Sequence, residues 1–122
     1  MMQKIVVTGY IVFILLCVLM LAGIAHARPW CGLYARSHLV SQDPGPAYNL
    51  ACRWLQYGRP TYAHQGAMVI WCNGRHHHVG KITGPCQTDA NGNQACVVTS
   101  GNDGGRVRTR LRSVAGAVFR EG

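Results

Sequence analysis

Cys31 stands where a helix is expected to begin, directly after Arg28-Pro29-Trp30. Further along, Gly66-Ala67-Met68-Val69-Ile70-Trp71 is followed by a turn and then by His78-Val79-Gly80-Lys81-Ile82. A thiol at a helix start facing an imidazole on a strand is how proteins build a cysteine nucleophile with its base. Unpaired backbone N–H groups and the positive end of the helix dipole favour thiolate over thiol. The same N–H groups can hold the oxyanion that forms in acyl transfer. From the helix position alone, a cysteine that merely packs or bridges is the equal alternative.

His76, His77 and His78 lie in a row. Side chains alternate along a strand, so His76 and His78 share one face and His77 takes the other. His78 is the expected base, because Val79 to Ile82 continue directly into a regular strand that would fix its ring. A third group is needed to orient the imidazole. Asn102 is the candidate, with Ser100 and Asp103 nearly as good. The histidine run, with His64 and the cysteines, also raises a metal. Zinc sites bring paired ligands at short spacing, and neither Cys-x-x-Cys nor His-x-x-x-His occurs. No metal and no other cofactor is expected.

Arg106, Arg108, Arg110 and Arg112 alternate with Val107, Thr109 and Leu111, which sets their guanidiniums on one face of a strand. The ordinary explanation is a solvated face that discourages edge pairing; the functional one is a track for phosphate or carboxylate groups. No aromatic residue is interleaved to stack bases, so nucleic acid is not the expected partner.

These groups need elements to hold them. Helical spacing runs from Cys31 to about Leu39, and Ser41 to Pro46 form a rigid break. Ala47, Leu50, Ala51, Trp54 and Leu55 then recur at helical spacing until Gly58 and Pro60 stop a second helix. From Ala67 the pattern turns to β: Met68 to Trp71, a turn at Asn73-Gly74, His78 to Ile82, Ala95 to Thr99, and Arg106 to Leu111. Two helices followed by a four-strand antiparallel meander give an α+β domain with the first helix packed on the sheet.

Before this domain come Met1-Met2-Gln3-Lys4, an apolar run from about Ile11 to Ala25, and Ala25-His26-Ala27, the pattern of a secretory signal cleaved after Ala27. Residues 1–27 are therefore expected to be a signal peptide, with an uncleaved inner-membrane anchor as the alternative. Residues 28–122 form one domain, with no room for a second module, and are expected to be a monomer. The chain carries 12 Lys and Arg against 4 Asp and Glu, a net charge of +8, and only Lys4 of these lies in the leader. Such a surface outside the cytoplasm favours anionic polymers.

Of the six cysteines, Cys17 falls in the leader, which leaves an odd number for an oxidising compartment. If Cys31 stays a thiol, Cys52, Cys72, Cys86 and Cys96 remain, and their three connectivities are open. Gln87 to Asn93 read as a hairpin loop, which favours Cys86 with Cys96 and leaves Cys52 with Cys72 to tie the second helix to the sheet.

Cys31-Gly32-Leu33-Tyr34, Gly66 to Trp71 and His78 to Ile82 resemble the CHAP and NlpC-type branch of papain-like cysteine peptidases and amidases. There, Cys-x-x-Tyr opens the nucleophile helix, Gly-Ala and a hydrophobic run form the first strand, and His-Val-Gly begins the strand bearing the base. The resemblance covers roughly Cys31 to Asn102. It implies a papain-like fold, Cys31 as nucleophile, His78 as base, Asn102 as the orienting residue, and cleavage of amide bonds in peptidoglycan peptides. Tyr34, Arg108 and Arg110 are the expected substrate contacts. The implied partner is peptidoglycan or another anionic envelope polymer, and the implied location is periplasmic or secreted. The alternative is a non-catalytic secreted binding protein that uses the arginine strand.

Overall fold

Gly32 and Gly101 decide how closely the helical segment approaches the rest of the chain. A Cβ on Gly101 would lie 2.5 Å from Tyr34 Cβ, and one on Gly32 would collide with the backbone oxygens of Tyr48 and Asn49. Only glycine allows either contact. The structure is a computed structural model that describes residues 29–122. The expected leader or anchor lies outside the described residues, among which no helix is long and apolar enough to cross a membrane.

Helix α1, Cys31–Tyr34, opens after Pro29 and Trp30 and widens into a π-helical turn over Ala35–Leu39. There the Ser37 hydroxyl donates to the Leu33 carbonyl at 2.8 Å, a back-bond that competes with the regular ladder. Arg36 then clamps Asp43 with two bonds of 2.8 and 3.0 Å, and Asp43 also accepts from the Gly45 N–H, which fixes the break before the next segment.

The second expected helix is corrected. The segment folds as two 3-10 turns, Pro46–Asn49 and Ala51–Gln56, parted at Leu50, whose backbone is extended. The apolar spacing is real, since Ala51 and Trp54 are buried, but the Tyr48 carbonyl accepts from the Trp54 indole N–H at 2.8 Å and lies against Gly32 instead of continuing a helical ladder.

The sheet has six antiparallel strands where four were expected. They are β1 (Arg59–Pro60), β2 (Met68–Asn73), β3 (His76–Thr88), β4 (Gln94–Ser100), β5 (Arg108–Ser113) and β6 (Val118–Glu121), in the order β1-β6-β2-β3-β4-β5. The meander β2 to β5 is as expected, although β5 starts at Arg108 rather than Arg106. The two added strands extend the β2 edge. The architecture is α+β.

Each sheet face buries its own apolar cluster. Met68, Ile70 and Val79 pack with Cys31, Ala35, Leu39, Ala51 and Trp54 on the helical face. Val69, Trp71, Ile82, Cys96, Val98 and Val114 fill the other. Both expected disulfides form. Cys86 and Cys96 are direct cross-strand partners, and Cys52–Cys72 ties the second 3-10 turn to β2.

Candidate active site

Among the described residues Cys31 is the free cysteine. It is the first residue of α1 and 2% exposed, and no side-chain hydrogen bond caps that helix start. Its side chain joins the helical-face cluster and forms part of the wall of a cavity of about 640 Å3. Trp30, Leu33, Leu50 and Cys52 line the same cavity, and so does one imidazole, that of His77.

The β2–β3 hairpin register explains why. Cys72 stands opposite His77, Trp71 opposite His78 and Ile70 opposite Val79. Cys72, Ile70 and Val79 belong to the helical face, so His77 shares that face and His78 is turned away. His77 lies with the Cys52 and Cys72 sulfurs in a group whose ligand-type atoms are all within 4.8 Å of one another. Those sulfurs are joined to each other, so this is no thiolate pair.

His78 occupies the opposite face. Its ring sits 5.8 Å from that of Trp71, and its Nε2 lies 2.8 Å from Ser100 Oγ. Burial first, then the nearby Arg112 charge, push His78 down to about 4, so it is neutral at neutral pH. An imidazole so depressed is a weak base for a thiol. The expected pairing of Cys31 with His78 thus meets two obstacles in strand alternation and burial.

Of the three orienting candidates, Ser100 is the one bonded to His78. Asn102 is half-buried at the end of β4 with φ +53, a left-handed turn residue. Asp103 is held by Arg110 through bonds of 2.6 and 2.9 Å, with Arg112 at 3.8 Å, and the Arg110 bonds keep its carboxyl below the usual range. Tyr34 packs against Gly101, Trp30 and the His38 ring, 4.8 Å away.

Arg108, Arg110 and Arg112 pair across to Ser100, Val98 and Cys96, which puts them on the His78 face. Arg112 lies 4.2 Å over the Trp71 ring. The alternating track is therefore partly consumed by internal contacts, and Arg106 belongs to the preceding turn. His77, Leu33 and Leu50 were missed from the sequence. For His77 a signal was present, since any two-residue turn after Cys72 or Asn73 sets Cys72 and His77 on one face.

Compared with known proteins, the chain matches no family model, no curated protein and no solved structure. The likeness to the CHAP and NlpC-type peptidases rests on the quoted motifs.

Proposed function

We propose that this chain is a cysteine hydrolase of amide bonds in cell-wall peptides, with a papain-like arrangement in which Cys31 is the nucleophile. The observation that carries the reading is a free thiol at a helix start sharing one cavity with an imidazole, that of His77, while the four other described cysteines are bridged.

In this mechanism His77 takes the Cys31 proton and the sulfur attacks the carbonyl carbon. Backbone N–H groups at the start of α1 receive the oxyanion. The C–N bond breaks as the imidazolium returns the proton to the leaving amine. Water then hydrolyses the thioester, with the same imidazole as base, and frees the thiol. His77 replaces His78 as base because His78 faces away and burial leaves it only weakly basic. The two disulfides fit a periplasmic or secreted location. Digestion of purified muropeptides by wild type and by Cys31→Ala tests activity and bond together.

The second reading is a binding protein that engages an anionic envelope polymer through β5. It is favoured by Arg108, whose guanidinium lies on the same face as the Trp71–Arg112 stack. Uniformly slow thiol labelling with salt-sensitive adhesion to sacculi would support it.

A further inference from the structure

The cavity in front of Cys31 has a chemical character that names a substrate class. We infer that it takes the apolar side chain of an acyl donor, so that the preferred substrates are peptide amides with an aliphatic residue on the acyl side of the cleaved bond. The inference rests on the reading of Cys31 as nucleophile.

Its volume of about 640 Å3 is that of a small-ligand site, large enough for one side chain and the peptide backbone beside it. Pro29, Trp30, Leu33, Leu50 and Ala51 give it an apolar wall. Leu50 is 72% exposed and Leu33 47% exposed, so two large aliphatic side chains stand in water at one opening. Single exposed leucines are ordinary, but two flanking a tryptophan around a hollow are a surface that a ligand would cover.

Among the described residues no carboxylate, lysine or arginine lines the cavity, and His77 is its one titratable side chain apart from the Cys31 thiol. The guanidiniums of β5 face the other side of the sheet. A charged side chain entering here would lose water without gaining a partner. Asn49 supplies the polar contact: its Oδ1 accepts from Arg36 at 3.1 Å, which leaves Nδ2 to donate to a peptide carbonyl.

Ligand-observed saturation-transfer NMR with N-acetyl-leucine N-methylamide and N-acetyl-glutamate N-methylamide tests this on the wild-type chain and on Leu50→Asp. Leu50 is exposed at the start of a 3-10 turn, where Asp is a good capping residue, so the variant should keep the wild-type unfolding temperature. The leucine compound should bind about tenfold more tightly to wild type, and Leu50→Asp should abolish the preference. Equal binding of the two compounds, or a preference that survives Leu50→Asp, overturns the inference. Muropeptide digestion separates the two claims. A leucine preference without cleavage removes the hydrolase and keeps the cavity, whereas cleavage without the preference removes the cavity's assignment and keeps the hydrolase.

Discussion

Cys72 on β2 and His77 on β3 stand directly opposite each other, and that one register position turns His77, not its neighbour His78, toward the face that carries Cys31. Because side chains alternate with a period of two, exchanging these imidazoles would take a one-residue slip of the hairpin register, which would also turn the buried Val79 out of its cluster. The two histidines therefore have separable roles.

Replacing His77 by Ala should lower both amide cleavage and the rate of Cys31 alkylation near neutral pH, with turnover falling about a hundredfold or more, as expected for loss of a general base. His78→Ala should instead lower the unfolding temperature, because it leaves the buried Ser100 hydroxyl without its partner, a loss of about 1–3 kcal/mol. Mass-mapped iodoacetamide kinetics and thermal unfolding of both variants check this. Similar labelling losses in the two would remove the distinction.

Stability should depend on pH through His78. Its folded value is pushed down from 6.5 to about 4, so between these limits the unfolded chain binds the extra proton and stability rises with pH. The contribution is fully present above 6.5 and is lost as the pH falls toward 4, up to about 3 kcal/mol in all. Urea unfolding at pH 7 and pH 5 should show the drop in wild type and a smaller one in His78→Gln. A drop of the same size in both would assign it elsewhere.

The hydrophobic spacing and the cysteine pattern carried most of what could be read before the fold was known. The strands Met68 to Trp71 and His78 to Ile82 were legible because β patterning is local, and the Cys86–Cys96 bridge because its loop is short. Val118–Glu121 escaped notice because a four-residue strand only becomes one by pairing across the chain with Met68–Ile70. The second helix failed because its spacing records which residues are buried, not how tightly the backbone is wound. His78 was chosen as the start of a regular strand, whereas the two-residue turn after Asn73 sets His77, not His78, on the face of Cys72.

The Cys52–Cys72 bridge closes the longer loop, a separation of 20 residues against 10 for Cys86–Cys96. Replacing both of its cysteines by Ala should cost about 3 kcal/mol in urea unfolding, and the other pair somewhat less. The reverse order would show that local packing outweighs loop closure.

The arginines of β5 should behave unequally. Arg110→Ser breaks the bidentate contact to Asp103 and should lower the unfolding temperature. Arg108→Ser should leave stability near wild type and weaken adhesion to purified sacculi, as added salt also should. Unchanged adhesion at low salt would identify the face as merely solvated.

Cleavage of envelope peptides should depend on the Cys31 thiol. Purified muropeptides are incubated with wild type and with a Cys31→Ala variant of matched circular dichroism, and the products are resolved by mass spectrometry. Wild type should yield fragments carrying one added water across a single amide bond, and the variant none. Intact muropeptides with both proteins, or the same fragments from both, would rule out Cys31 as the nucleophile.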